Sequence, residues 1–225
     1  FAKLYLKYKP EIVIGHFVGS NITVSVSKIL SFGKVKTFEY YHTLSTQILE
    51  DLSKISLKQR LLFVRKKISY KLFCDLMICP SELAKKDLKD YFDIHKGFVV
   101  LNPMMDRFKV KTVLSSDPIV ISYLGRLDAS KGVKDLIIAF EAYKMKFKDS
   151  KMTLNIAGAG SQGNIIQALG ENNKSIRFMG GLSYDKIDAY LNKSHFVIIP
   201  SKFDNLPTVG LESMMNQTPL LISNT

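Results

Sequence analysis

Three stretches carry side chains whose types and spacing suit chemistry on a phosphorylated ligand. The first, Gly125-Arg126-Leu-Asp-Ala-Ser-Lys131-Gly132, leaves an apolar run and enters a helical one. A guanidinium offers a planar fork to phosphate oxygens, an ammonium a point charge, and a helix amide end a partial positive charge. The order Gly-x4-Gly-Lys-Ser/Thr is absent, which disfavours a P-loop motor; a solvated Arg and Lys on an ordinary turn is the alternative. The second stretch is Pro200-Ser-Lys-Phe-Asp204-Asn205-Leu206-Pro207-Thr208-Val209-Gly210-Leu-Glu212, with its two carboxylates eight residues apart and a helix start near Thr208. Free amides at that start suit a phosphate, and Glu212 can accept two vicinal sugar hydroxyls. Eight residues of continuous helix would part the carboxylates by about 12 Å, whereas a retaining glycosidase pair needs about 5 Å, so hydrolysis is disfavoured. The third, Gly158-Ala-Gly160 with Gly163, has dinucleotide spacing, but where an acidic residue belongs the chain reads Phe178-Met179-Gly-Gly. These glycines read as a tight turn beside a ligand, with plain turn chemistry equally open.

The elements that must position these residues alternate. Apolar, β-branched runs predict strands at 11–15, 35–41, 75–79, 98–101, 119–124, 152–157, 176–179 and 196–199. Helices are predicted over 57–73, where Leu61, Leu62, Val64, Ile68 and Leu72 recur, and after Ser81 as N-cap through 90. A third spans 133–148, with Leu136, Ile137, Phe140 and Phe147 on one face, and others fall near 162–170, 184–192 and 208–216. Near-continuous apolar strands followed by helices are the pattern of parallel sheets covered on both faces, so we expect two doubly wound α/β domains. Ligands bind beyond the carboxyl ends of such strands. The polar stretch 109–118, with Ser115-Ser116-Asp117, reads as a linker between domains at 1–108 and 119–225.

Composition narrows the class. With 225 residues, 46% hydrophobic and 23% charged, the chain is globular and not disordered. It carries 32 Lys and Arg against 20 Asp and Glu, a net +12: 19 against 10 in residues 1–110, and 13 against 10 in 111–225. That excess suits a phosphorylated substrate, an anionic membrane surface or nucleic acid; no zinc-finger or RNA-recognition pattern accompanies it, which disfavours nucleic acid. Cys74 and Cys79 build neither a disulfide framework nor a zinc site, which points to a reducing, cytoplasmic compartment. No run is long and apolar enough to span a bilayer. The predicted helix at 57–73 carries Lys58, Arg60, Arg65, Lys66, Lys67 and Lys71; it suits the surface of an anionic membrane, and a plain solvated helix is equally open. His95 and His195 read as structural, Met214 and Met215 as core filler, and no metal-ligand spacing occurs. An opening without Met and a close just past an apolar run make both ends read as cut.

Taken together the motifs resemble the retaining GT-B glycosyltransferases of the family 4 type, which build bacterial lipopolysaccharide, capsule and exopolysaccharide. The resemblance rests on Pro10-Glu-Ile-Val-Ile-Gly-His16, Tyr41-His42-Thr-Leu, Cys79-Pro-Ser81-Glu, Leu101-Asn-Pro-Met-Met-Asp106-Arg-Phe108, Ile156-Ala-Gly158-Ala-Gly160, Arg177-Phe178-Met179-Gly180 and the two loops above. It implies two Rossmann-like domains facing a cleft, acceptor-side at 1–108 and donor-binding at 119–225. Both would be incomplete here, without an N-terminal glycine-rich loop and the final strands and crossover helix. It implies that Arg126 and Lys131 hold the donor pyrophosphate, Asp204 touches the transferred sugar and Glu212 the ribose. Thr208 and Val209 amides would meet the β-phosphate, Arg177, Phe178 and Met179 the base, with Gly125, Gly158, Gly160, Asn205, Leu206 and Pro207 around the donor. His42 would stand near the reacting centre, and His16 on the acceptor side. Asp204 replaces a commoner Glu and Asn-Leu-Pro the usual Gly-Phe-Gly, departures that tune donor choice. The activity implied is sugar transfer from a nucleotide-diphosphate donor, without metal or cofactor, to a saccharide or lipid-linked acceptor. A sugar-nucleotide epimerase of similar build and an inactive sugar-nucleotide-binding piece are the alternatives.

Overall fold

Two parallel sheets organise the chain in a computed structural model that describes every residue except 18, 52–54, 108, 109, 112, 172 and 225. Phe108 of the motif quoted above, and Lys109 and Thr112 of the expected linker, therefore lie outside the described residues. The chain divides into two compact units, Phe1–Asn102 and Pro103–Thr225.

The first unit runs α1 (Ala2–Tyr8), β1 (Ile12–Gly15), α2 (Ser20–Leu30), β2 (Lys36–Tyr40), α3 (Ser45–Asp51), α4 (Leu57–Leu72), β3 (Leu76–Cys79), α5 (Glu82–Phe92) and β4 (Gly97–Val99). Its four strands are parallel in the order β1-β2-β3-β4. Val24 of α2, Tyr70 of α4 and Ala84, Leu88 and Phe92 of α5 are buried together with Met77 and Cys79, so the core fills one side of the sheet. Ile12, Ile14 and Phe98, which point to the other side, are exposed, so among the described residues this sheet is not covered on both faces as expected. Ser81 caps α5 as predicted, accepting from the Ala84 amide at 3.0 Å. Helix α4 starts on a reciprocal capping box in which Ser56 Oγ accepts from the Gln59 amide at 3.3 Å and Ser56 N–H donates to Gln59 Oε1 at 2.6 Å. Its inward residues are Phe63, Ser69 and Tyr70; the leucines, valine and isoleucine whose recurrence predicts it, Leu62 apart, lie on the exposed side.

The second unit runs β5 (Val120–Leu124), a short 3₁₀ turn (Ala129–Lys131), α6 (Val133–Lys146), β6 (Thr153–Ala157), α7 (Gly163–Glu171), β7 (Ile176–Gly180), α8 (Tyr184–Asn192), β8 (Phe196–Ile199), α9 (Thr208–Met215) and β9 (Leu220–Ile222). The strands are parallel in the order β7-β6-β5-β8-β9. Leu136, Ile137 and Phe140 of α6 and Ile166 of α7 bury one face with Tyr123, Leu154 and Ile156; Leu191 of α8 and Val209 of α9 cover the other with Val197 and Ile199. Here the double covering holds. Phe147 and Met214, expected in the core, are instead exposed; Phe147 stands past the last residue of α6 as its C-cap. His195 is structural as expected: its Nδ1 accepts from the Val120 amide at 3.0 Å and its Nε2 donates to the Ser115 carbonyl at 2.7 Å. Lys111, within the expected linker, is fastened to this unit through Ser194 O at 2.6 Å and Thr218 Oγ1 at 2.8 Å. Among the described residues no helix is long and apolar enough to cross a membrane.

Candidate functional site

In the second sheet β6 follows β5 on one side and β8 lies on the other, so the chain reverses direction of winding between β5 and β8. The crevice beyond the carboxyl ends of two such strands is where ligands enter this architecture. The loops that gather there are 125–132 after β5, 158–162 after β6 and 200–207 after β8. They are tied by backbone bonds: Leu127 N–H to Ala159 O at 2.9 Å, Gln162 N–H to Leu127 O at 2.8 Å and Lys202 N–H to Ser130 O at 2.8 Å. Glycine is required at two of these approaches. Gly132 has φ 65 and a Cβ there would lie 2.1 Å from the Pro200 carbonyl oxygen; Gly158 has φ 148 and a Cβ would lie 1.8 Å from that of Gly125. Within the dinucleotide-like spacing, Gly158 and Gly160, whose Cβ would lie 2.6 Å from the Leu127 backbone, thus answer to loop-against-loop packing.

Asp128, which the sequence reading passes over, locks two of these loops. Its Oδ1 accepts from the Ser161 amide at 2.9 Å and hydroxyl at 2.8 Å, while its Oδ2 meets Arg126 Nη1 at 2.9 Å. Burial alone would raise its pKa, but the Ser161 bonds and the cations Arg126 and Lys131 outweigh it and hold the carboxyl below the usual aspartate range. Asp128 is therefore an anion that fixes the base of Arg126, whose side chain remains 56% exposed.

Lys131 and Asp204 come together from loops 73 residues apart, Nζ to Oδ2 at 2.8 Å. Asp204 Oδ2 also accepts from Ser201 Oγ at 3.1 Å, and its Oδ1 from the Asn205 amide at 3.0 Å. Just beyond, α9 begins after Pro207, an N-cap residue that makes no side-chain cap bond, and Thr208 is exposed. An ammonium, a guanidinium and an uncapped helix start at one switch point can receive a diphosphate.

Glu212 belongs to a different network. Its Oε1 accepts from Arg107 Nη2 at 2.8 Å, and Asp188 stands 3.7 Å from Arg107 Nη1. Arg107 lies over the Tyr184 ring, 4.4 Å from its centroid, and Asn216 Nδ2 donates to Asp188 Oδ1 at 3.0 Å. Burial raises the Glu212 pKa, and the Arg107 guanidinium works against that rise. Sequence reasoning missed Arg107 as a site residue although it stands in a quoted motif. Of the residues expected at the base, Phe178 packs into the core on edge strand β7, whereas Arg177 and Met179 are exposed. Gly125, Asn205, Leu206 and Val209 are half-buried about the loops described.

In the first unit His16 and His42 lie beyond the carboxyl ends of β1 and β2, with Nδ1 of the former 3.1 Å from Nε2 of the latter. Tyr40 stacks on both, at 4.6 Å from His16 and 4.9 Å from His42, and the exposed Phe17 ring stacks on His42 at 4.7 Å. Burial first, and the neighbouring His16 second, hold the His42 pKa below the usual histidine range, which favours a neutral imidazole able to accept a hydroxyl proton.

Comparison with known proteins supplies a family. The family model described as Glycosyl transferases group 1 matches residues 104–225. A glycogen synthase of Mycobacterium tuberculosis is 31% identical over 110 residues, which is 48% of this chain and 26% of that one. Among solved structures, sucrose-phosphate synthase of Thermosynechococcus elongatus matches with a TM-score of 0.81 at 16% identity, over 99% of this chain and 58% of its own. Anabaena HepE, solved with UDP and glucose, matches with a TM-score of 0.78 at 13% identity, over 100% of this chain and 62% of its own. At these identities the solved structures establish the fold, an α/β architecture with two parallel sheets of the GT-B kind. The chain spans about a quarter of the length of the curated relative it matches.

Proposed function

The chain belongs to the glycosyl transferases group 1 family, and we propose that it is part of a retaining, metal-independent glycosyltransferase of the family 4 type. It would move a hexosyl or N-acetylhexosaminyl group from a nucleotide-diphosphate donor to a saccharide or lipid-linked acceptor in cell-surface polysaccharide synthesis. It would work in the cytoplasm or peripherally on the inner face of the membrane. The observation that supports the reading is the 2.8 Å pair between Lys131, on the loop after β5 that also carries Arg126, and Asp204, on the loop that leads into α9.

The chemistry follows from charge. As the bond to the anomeric carbon breaks, the diphosphate gains negative charge, and fixed cations and amides stabilise that change more than they stabilise the ground state. Lys131 is balanced by Asp204 at 2.8 Å. An arriving diphosphate takes over the ammonium, and the released Asp204 turns to a hydroxyl of the transferred sugar. Amides at Thr208 and Val209 receive the β-phosphate, and Arg126 the other. Glu212, held through Oε1 by Arg107, offers Oε2 to the ribose, while Arg177, Phe178 and Met179 border the base. Neutral His42, backed by His16, serves the acceptor side.

The test is incubation of the chain with labelled UDP-, GDP- and ADP-sugars, with and without lipid-linked acceptor. Lys131→Ala should lower turnover about 10²–10³-fold, and turnover within threefold of the parent rejects its role. Free nucleotide with altered sugar, formed without acceptor, would instead identify an epimerase; donor binding without turnover would identify a binding piece.

A further inference from the structure

Helix α4 presents a face that the fold does not use. It meets its own unit through Phe63, Ser69 and Tyr70, with Ser69 Oγ donating to Asn21 O at 2.9 Å and half-buried Lys66 opposed to buried Glu39. At 100° per residue, Leu57, Leu61, Val64, Ile68 and Leu72 fall on the opposite side, in a stripe about 80° wide. All five are between 49% and 74% exposed. The same arithmetic places Lys58 and Arg65 along one border of the stripe and Arg60, Lys67 and Lys71 along the other. Residues 57–72 contain no Asp or Glu. Asp93, from outside the helix, pairs with Lys71 at 2.7 Å.

We propose that α4 is the surface by which this chain lies on an anionic lipid bilayer. A helix face that merely meets water carries polar residues at its outermost positions, whereas here those positions are apolar. Cationic stems flanking an apolar stripe let the leucines enter the acyl boundary while the charged heads stay among lipid phosphates. Charge complementarity selects the occupant. A second copy docked stripe to stripe would set two cationic borders against each other, whereas an anionic headgroup layer neutralises both at once. The excess of 19 cations over 10 anions in residues 1–110 adds long-range attraction of the same sign. The inference rests on the peripheral-membrane part of the proposed function and names the surface that carries it, and its vesicle test is read independently of sugar transfer.

Co-sedimentation of the whole chain with vesicles of phosphatidylcholine, and with vesicles of equal parts phosphatidylcholine and phosphatidylglycerol, tests it. Binding should be about tenfold or more tighter to the anionic vesicles and should weaken with salt. Lys67→Gln should weaken it about fivefold. The double substitution Leu61→Ser with Ile68→Ser should abolish it without lowering the unfolding midpoint, because both side chains are already in water. The chain has no tryptophan, so Ile68→Trp gives a single reporter whose emission shifts to the blue on anionic vesicles. Equal partition onto both vesicle types, an unshifted reporter, a stripe variant that binds like the parent, or a solution dimer that the stripe variant dissolves would each overturn the proposal.

Discussion

Glu39 and Glu212 are both sunk in their own unit, 3% and 6% exposed, and burial raises the pKa of both, but the partners set against that rise differ. Glu39 Oε1 accepts from the Ser20 hydroxyl at 3.0 Å, and its buried Oε2 has no hydrogen-bond partner among the described residues. Burial pushes its pKa up to about 7, with Ser20 and Lys66 opposing too weakly to restore it. Glu212 has a guanidinium at 2.8 Å, itself buried and braced by Asp188 and Tyr184. A carboxylate given one hydroxyl and a lysine that acts on it without a hydrogen bond becomes a group that titrates near neutrality. One given an arginine becomes half of a charge pair that neither partner can leave without cost.

The largest test of that difference is Arg107→Ala. Removal of the guanidinium leaves Glu212 and Asp188 buried beside each other without a cation, which should cost the second unit about 3–5 kcal/mol in denaturant unfolding. Joint replacement of Arg107 by Met and Glu212 by Leu should recover part of that loss, since only Asp188, still bonded to Asn216, is then left without its cation. A loss under about 1 kcal/mol for Arg107→Ala would place the pair in water and dissolve the contrast.

Glu39 supplies the next effect, in the pH profile. Its folded pKa of about 7 lies above the ordinary value of 4.5, so its contribution is fully present below pH 4.5 and is lost as pH rises toward 7. Across that window the first unit should lose about 3 kcal/mol, read as faster hydrogen exchange of β2 amides. Glu39→Gln should flatten the profile. A parent profile flat between those pH values would show that water reaches this carboxylate after all.

These two glutamates also mark how far sequence reading reaches. Every strand it predicts is present to within a residue or two at each end, because apolar runs between turn signals are local, yet β9 and the first three helices were not anticipated. Which face of an element meets the core is not local. Period-three and period-four recurrence announces α4 and α6 alike, but α6 turns Leu136, Ile137 and Phe140 inward while α4 turns its stripe outward and buries Ser69 and Tyr70. The loop cations and Asp204 were legible because helix starts after strands have a recognisable chemistry. The partner of Glu212 was not, since Arg107 stands 105 residues earlier and nothing in its neighbours announces burial. Asp128 was equally hidden, its meaning resting on Ser161 in another loop.

Ser20→Ala is the smallest perturbation of the comparison and the one that separates hydrogen bonding from burial. Its hydroxyl has one proton and two acceptors within reach, Phe17 O at 2.8 Å and Glu39 Oε1 at 3.0 Å, so the carboxylate receives only a share of it. That share is why the hydroxyl lowers the Glu39 pKa without overcoming desolvation. Without it the charged form loses its nearest donor, and the midpoint of the exchange profile should move above the parent's. The loss of stability should be about 1 kcal/mol where Glu39 is ionised and smaller where it is protonated. A midpoint that moves down instead would mean that the serine favours the protonated acid, and that Glu39 is raised by its bonding and not by its burial.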